Sequence, residues 1–364
     1  RDEKTLLSPG EVIKPELSVD QAIELSQKLY GFEITSIMEL NGYDDKNYHL
    51  KIAAVKSNSH IREVQHSGYV FKVMNSLDSK KLDYVDGQNK LLLHLEKNGF
   101  SAPRIQKNIK GEYYSVENIT SKKDKNDIKS HVVRLLTYIE GELLRDVSIT
   151  DLLCFDVGRS VATLDQKLET FKHKAYDSYD SVWMLKNVPQ ILNFIYVIKD
   201  QRKVALVKKV VREFEKNVLT KLNDLTSGMI HGDANEQNIL CVKQPDDEWC
   251  VNAILDYGDS HLSAYVFNLA ITMTYIILQC KNLQHGRFVL SGYTTIKPLP
   301  KKEIDLLPIC VSARICQSLV LGAYSYFQDP GNEYVLSTQK SGWEMLFKLS
   351  ENFDSLPDLW GLFK

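Results

Sequence analysis

Two polar clusters, each closing an apolar run, sit within a half of the chain whose apolar spacing is otherwise helical. Few folds have a place for that. The first cluster is His231-Gly232-Asp233-Ala234-Asn235-Glu236-Gln237-Asn238, followed by Ile239-Leu240, and the second is Ala253-Ile254-Leu255-Asp256-Tyr257-Gly258-Asp259. A turn from Asp233 to Asn238 can aim both side chains at one point, and a second strand ending in Asp256 brings another carboxylate there. Either cluster alone reads equally well as a polar turn whose Asp and Asn suit turn geometry. Their order and proximity in sequence speak against that reading.

Around the insert from Gly228 to Gly258 the periodicity predicts helices over Leu152–Leu168, Val204–Leu225, Leu262–Cys280, Lys302–Phe327 and Thr338–Leu349. The earlier part of the chain alternates differently. Ser18 is an N-cap for a helix toward Tyr30, with Gly31 past its end. Strands Phe32–Leu40 and Tyr48–Val55 flank a polar loop, Asn41–Asn47, and Gly68–Met74 gives a third strand. Leu82, Val85, Leu92 and Leu95 mark a helix ended by Gly99 and Pro103. Two short strands around Gly111, a polar loop near Thr120–Lys129 and the strand His131–Tyr138 complete the region. The expected fold is α+β and bilobal. Residues 1–140 form a small antiparallel-sheet lobe, the N-terminal helix followed by a sheet that one helix covers. Residues 141–364 form a larger, mainly helical lobe, joined by a tight hinge near Gly141.

Composition narrows the partners. A net charge of −2 without a long Lys/Arg block gives no electrostatic footprint for nucleic acid. Lys122, Lys123 and Lys125 are interrupted by Asp124 and Asp127 and read as a solvated loop. Leu262–Cys280 approaches membrane-spanning length but carries Ser263, Asn268, Thr272, Thr274 and Gln279, so a buried core helix is expected and no membrane partner. The six cysteines show no C-x-x-C pair and no zinc-like spacing, which fits a reducing compartment, by default the cytoplasm. Arg1 to Gly10 lacks the apolar core of a secretory signal, and a trimmed targeting segment stays open because the first residue is not Met.

Phosphoryl transfer needs the residue types of the two clusters: a carboxylate to orient and accept the proton of an attacking hydroxyl, and oxygen ligands for Mg²⁺ on the phosphates. The chain here resembles the aminoglycoside phosphotransferase/choline kinase-like family, whose catalytic loop is H-G-D-x-x-x-x-N and whose metal segment is I-L-D-[FY]-G-D. Further similar stretches are Tyr43-Asp44-Asp45 with Asn47, Val133 to Tyr138, Leu185-Lys186-Asn187-Val188-Pro189, Cys316 to Val320, and Ala323-Tyr324-Ser325. The resemblance implies a protein-kinase-like fold, Asp233 as catalytic base, and Asn238 and Asp256 as metal ligands, with His231 and Asp259 shaping the site. It also implies GTP or ATP as donor and a small hydroxyl-bearing acceptor that is amino-acid-like, such as 5-hydroxylysine. Homoserine, choline and aminoglycoside acceptors stay open. From the residues alone, His231 reads equally as a packed histidine that fixes the loop.

The strand Tyr69-Val70-Phe71-Lys72-Val73 places Lys72 where kinases keep a lysine for the α/β-phosphates, although a lone strand lysine also serves as a solvent-facing residue. The resemblance aligns Asp86 as its acidic partner, with Asp83 as the alternative. No G-x-G-x-x-G precedes Lys72; the Asn41–Asn47 loop takes that place. Its acids would repel phosphate unless they face away, which leaves backbone N–H groups or Asn47 to bind. The hinge is expected over Arg134 to Gly141, with Leu136 packed on the base and Tyr138 beside it.

Asp256-Tyr257-Gly258 is close to the D-F-G of protein kinases, but the apolar run from Leu262 follows too soon for a peptide-holding activation segment. A catalytically inactive binding protein of this fold would have lost one of Asp233, Asn238, Asp256 and Lys72, and all are present. For an amino-acid acceptor, Arg314 in the apolar run Val311 to Cys316 is the candidate cation for the carboxylate; a structural salt bridge is the alternative. Trp183 is a candidate for packing on the acceptor's aliphatic chain, or else a core residue.

Overall fold

The computed structural model describes residues 13–42, 44–120, 128–328 and 339–362; Arg1–Gly10, Tyr43, the charges between Lys122 and Asp127, and Thr338 lie outside them. Two compact units are present, 13–140 with His173–Ala175, and 141–172 with 176–362.

In the first unit, α1 (Val19–Tyr30) begins with a capping box: Ser18 Oγ accepts the Gln21 N–H, and Gln21 Oε1 accepts the Ser18 N–H. Gly31 closes it at φ 65°, a conformation that costs glycine little. The strands β1 (Phe32–Leu40), β2 (Lys46–Val55), β3 (Tyr69–Val73), β4 (Ile105–Gln106), β5 (Ser115–Thr120) and β6 (Ile128–Thr137) make one antiparallel sheet. Its order is β1-β2-β3-β6-β4, and β5 also pairs with β6. Strand alternation sends Tyr69, Phe71, Val73, Val133 and Leu135 into a core shared with Leu29 and Tyr30 of α1. Lys72 and Arg134, partners across β3 and β6, face the other way. There α2 (Leu82–Lys97) offers Gln88 Oε1 and Asn89 Oδ1 to the Arg134 guanidinium at 2.7 and 3.2 Å. Because β6 runs to Thr137, Arg134 to Thr137 are strand residues and not hinge.

The second unit contains α3 (Asp151–Leu168), α4 (Gln201–Asn217), α5 (Tyr265–Cys280), α6 (His285–Ile296), α7 (Lys301–Ile304), α8 (Leu307–Gln328), α9 (Gln339–Glu351) and α10 (Leu356–Trp360). Two small sheets hold the polar clusters. One is β7 (Glu142–Leu143), β9 (Ile239–Lys243) and β10 (Trp249–Ile254) in the order β10-β9-β7; the other pairs β8 (Ser227–Ile230) with β11 (His261–Ala264). The run expected to be helical from Leu262 therefore starts as a strand, because His261 to Ala264 pair with β8 before α5 begins at Tyr265. The helix expected to reach Leu225 stops at Asn217 and continues as 3-10 turns. Lys302–Phe327 is broken between α7 and α8, where Pro308 lies in the first turn of α8 and its missing N–H costs nothing.

The periodicity did not predict α6. Its Gly292 meets the Phe155 carbonyl, and Gly158 of α3 meets the Val289 carbonyl, so closely that a Cβ would come within 1.9 and 2.0 Å. The helices touch backbone to backbone there, and only glycine permits it. Among the described residues, Lys301–Gln328 is long and apolar enough to cross a membrane, with mean hydropathy 1.6, but 94% of that window is packed inside the protein. It is a core helix by its burial.

Candidate active site

The loop from His231 to Asn238 joins β8 to β9, and the hairpin β9–β10 returns the chain to Asp256. His231 ties the two clusters together. Its Nδ1 accepts the Asp233 N–H at 3.2 Å, so Nε2 carries the proton and donates to the Leu255 carbonyl at 2.8 Å. Burial lowers the pKa of this fully enclosed ring and keeps it neutral. The Leu255 N–H donates to the Asn238 carbonyl at 2.7 Å, a second link between the clusters.

Gly232 has φ 80°, and a Cβ there would meet the Asp259 carbonyl at 2.5 Å and the His261 ring at 2.8 Å. Its N–H donates to Asn268 Oδ1 on α5 at 3.2 Å. Asn268 Nδ2 donates to Asp165 Oδ1 of α3 at 2.7 Å, and the Tyr293 hydroxyl of α6 donates to Asp165 Oδ2 at 2.6 Å. This fully buried chain anchors the loop backbone to three helices. The sequence signal for it was a polar residue, Asn268, inside the most apolar run.

Asp233 is held from three sides. Oδ2 accepts from Asn235 Nδ2 at 2.9 Å and Asn238 Nδ2 at 3.2 Å, while Oδ1 accepts from Arg314 Nη2 at 2.9 Å. Burial raises the pKa of the carboxyl above the ordinary carboxylate range; Arg314 opposes the shift, and the nearby Asp259 and Asp256 add to it. Asn235 Oδ1 accepts the Gln237 and Asn238 N–H groups, which shapes the turn. Asn238 Nδ2 also donates to the Asp233 carbonyl at 2.9 Å, leaving its Oδ1 as the atom available to a cation. Asp256 adopts φ 56°, a left-handed backbone in a residue that tolerates it, and its Oδ1 accepts the Gly258 N–H at 3.2 Å. The Asp233 carboxyl, the Asp256 and Asp259 carboxylates that raise its proton affinity, and the Asn238 amide oxygen are a hard-oxygen donor set that suits a divalent cation.

Arg314 was expected to serve either as the cation for an acceptor carboxylate or as half of a structural salt bridge; it is 2% exposed and forms an ion pair with Asp233. Besides Asp233, it donates to the Tyr275 hydroxyl at 3.2 Å, the Trp183 carbonyl at 3.0 Å and Gln317 Oε1 at 2.9 Å. The Trp183 and Tyr275 rings each lie 5.4 Å from the guanidinium carbon. Trp183 is thus a partner of Arg314. Lys186, in the 3-10 run Leu185–Asn193, is a half-exposed cation whose charge acts on His261, as does that of Arg314.

In the other unit, Lys72 is nearly buried and its ammonium lies 2.8 Å from Asp45 Oδ2. Asp86, aligned with Lys72 by resemblance, is instead engaged by His173 Nε2 at 3.2 Å. Asp45 Oδ1 accepts the Asn75 N–H and side-chain amide at 2.8 and 3.1 Å, so this acid of the loop is turned inward, toward Asn75 and its ion-pair partner Lys72. Asn47 pairs across the sheet with Lys72, and its Oδ1 is buried without a hydrogen-bond partner among the described residues. Leu136 pairs with Val70 and Ile105, and the Tyr138 ring stacks on His49 with centroids 3.7 Å apart.

The model of the phosphotransferase enzyme family matches residues 42–287. Hydroxylysine kinase of Bos taurus is 34% identical over 342 residues, covering 92% of this chain and 89% of that protein. Two solved structures share the fold at low identity. A microcompartment-associated aminopropanol kinase superposes with a TM-score of 0.65 at 15% identity, over 92% of this chain and 97% of that one. An amicoumacin kinase in complex with AMP-PNP, Ca²⁺ and Ami gives a TM-score of 0.62 at 13% identity, over 93% and 94%.

Proposed function

Because the chain belongs to the phosphotransferase enzyme family, and is thus a kinase acting on a hydroxyl of a small molecule, we propose that it transfers the γ-phosphoryl group of GTP to the 5-hydroxyl of hydroxylysine. The observation that carries the proposal is the threefold hold on Asp233, which fixes one carboxylate where a hydroxyl proton could be taken. In the reaction the acceptor oxygen forms a bond to the γ-phosphorus, the bond from that phosphorus to the β–γ bridging oxygen breaks, and the acceptor proton passes to Asp233. GDP and the phosphate ester are the products.

Asn238 Oδ1 and the Asp256 carboxylate would hold Mg²⁺, which offsets phosphate charge when bound. Lys72, released from Asp45, would pair with the α/β-phosphates, with Asn47, Leu136 and Tyr138 as further nucleotide contacts. Arg314, and Lys186 if released from its ion pair with Asp180, would be the candidate cations for the acceptor carboxylate. Hydroxylysine as acceptor is supported by the 34% identity to hydroxylysine kinase over nearly the whole chain, whereas GTP as donor, with ATP as the alternative, follows from the resemblance drawn on the sequence motifs alone. The reading carries a cytoplasmic location, in keeping with six thiols and no disulfide. The test is a screen of 5-hydroxylysine, homoserine and choline against GTP and ATP. The highest kcat/KM is expected for GTP with 5-hydroxylysine, and a higher value for another pair would replace this substrate assignment.

A further inference from the structure

Three side chains outside the phosphoryl-transfer residues converge although they are scattered in sequence. Cys154 lies in the first turn of α3, Cys280 is the last residue of α5, and His285 is the first of α6. Each offers one ligand atom, and these atoms all lie within 4.8 Å of one another. His285 Nδ1 is buried without a hydrogen-bond partner among the described residues, while Nε2 faces Asp151 Oδ1 at 3.7 Å. An imidazole with one bare nitrogen and a carboxylate behind the other has the orientation of a metal-ligating histidine.

We propose that Cys154, Cys280 and His285 bind one thiophilic divalent cation of the Zn²⁺ class, with water as the fourth ligand. Two sulfurs and an imidazole nitrogen are borderline-soft donors, unlike the all-oxygen set at Asp233, Asn238 and Asp256, so the two sites take different ions. With Zn–S of about 2.3 Å and Zn–N of about 2.0 Å, ligands on a tetrahedral zinc stand roughly 3.5–3.8 Å apart. Closing from 4.8 Å needs a shift of about an ångström, within reach of side-chain rotation. Cys280 and His285 are half-buried, which gives an ion a path in from solvent. Binding releases the two thiol protons as the thiolates form, and it clamps the start of α3, the end of α5 and the start of α6. The native fold is stabilised in proportion to occupancy.

The test uses the full chain, reduced and stripped with a chelator, and titrated with Co²⁺ as the spectroscopic probe. One equivalent is expected to give a thiolate-to-cobalt charge-transfer band and the intense visible bands of tetrahedral Co²⁺. Zn²⁺ should abolish both and raise the melting temperature. Cys280→Ser should remove the charge-transfer intensity of its thiolate and the Zn²⁺-dependent rise in melting temperature, and His285→Ala should weaken binding by about tenfold or more. Cys250→Ser, outside the cluster, should change neither. Cys154 is buried, so the half-buried Cys280 and His285 variants carry the test if Cys154→Ser fails to fold. An octahedral Co²⁺ spectrum in the reduced protein would overturn the proposal. So would unchanged binding in Cys280→Ser, or a Cys154–Cys280 disulfide on mild oxidation with no metal bound by the reduced form.

Discussion

Arg314 Nη2 stands 2.9 Å from Asp233 Oδ1, joining a buried cation of α8 to the carboxylate of the loop between β8 and β9. The Arg314 charge, with the Asn235 hydrogen bond, opposes the upward push that burial, Asp259 and Asp256 give the Asp233 pKa.

Arg314→Met removes the opposing charge, so the Asp233 pKa climbs further and the acid limb of kcat/KM moves to higher pH. At neutral pH the rate should fall by about tenfold or more, and breaking the buried pair should cost about 3–5 kcal/mol of stability. Arg314→Lys keeps the charge but loses the fork and should shift the limb less. A pH–rate profile with an unmoved acid limb in Arg314→Met would separate Arg314 from the ionisation of Asp233.

Asp165 predicts a pH effect on stability. Burial, opposed by the bonds from Tyr293 and Asn268, pushes its pKa from 3.8 up to about 7. Between those values the unfolded chain has lost the proton that the folded one retains. The unfolded state therefore binds fewer protons, and this group's contribution to stability declines as pH rises from about 4 to about 7, by at most about 1.4 kcal/mol per pH unit. Denaturant melts across that window should show a shallower decline in Asp165→Asn. An unchanged slope would mean that Asp165 titrates in its ordinary range.

Asp256→Ala deletes a charged oxygen from the donor set while leaving the link from His231 to the Leu255 carbonyl in place. Nucleotide affinity measured with and without Mg²⁺ should then lose most of its Mg²⁺ dependence, with kcat down by about a hundredfold. Full retention of that dependence would take Asp256 out of the donor set.

Local signals were readable where one residue's chemistry decides the backbone. Ser18 and Gly31 marked α1, and the polar loop between two alternating runs marked the β1–β2 hairpin. The two clusters around Asp233 and Asp256 stood out by their order and proximity in sequence, and the Leu255 carbonyl and N–H join them through His231 and Asn238. Pairings made by tertiary approach were not. Asp45, and not Asp86, meets Lys72 because the loop after β1 folds back under Asn75, which no periodicity records. Arg314 was readable as a costly buried charge, yet its partner lay in a loop distant in sequence. α6 escaped because Gly286 and Gly292 weaken a helical pattern, while the close α3–α6 crossing requires Gly292. Cys154, Cys280 and His285 escaped for the same reason as Arg314: spacing in sequence carries no trace of three helix ends that meet.

The proposed role of Asp233 is to take the proton of the acceptor hydroxyl in phosphoryl transfer from a nucleotide. Its most direct test is ³¹P NMR of GTP with 5-hydroxylysine, following the rise of GDP and the phosphate ester for the wild type and for Asp233→Asn, alongside nucleotide affinity for both. The asparagine keeps the shape but cannot accept the proton. Ester formation should therefore slow by about 10²–10⁴-fold with affinity nearly unchanged. Ester formation within a few fold of wild type in Asp233→Asn would contradict it.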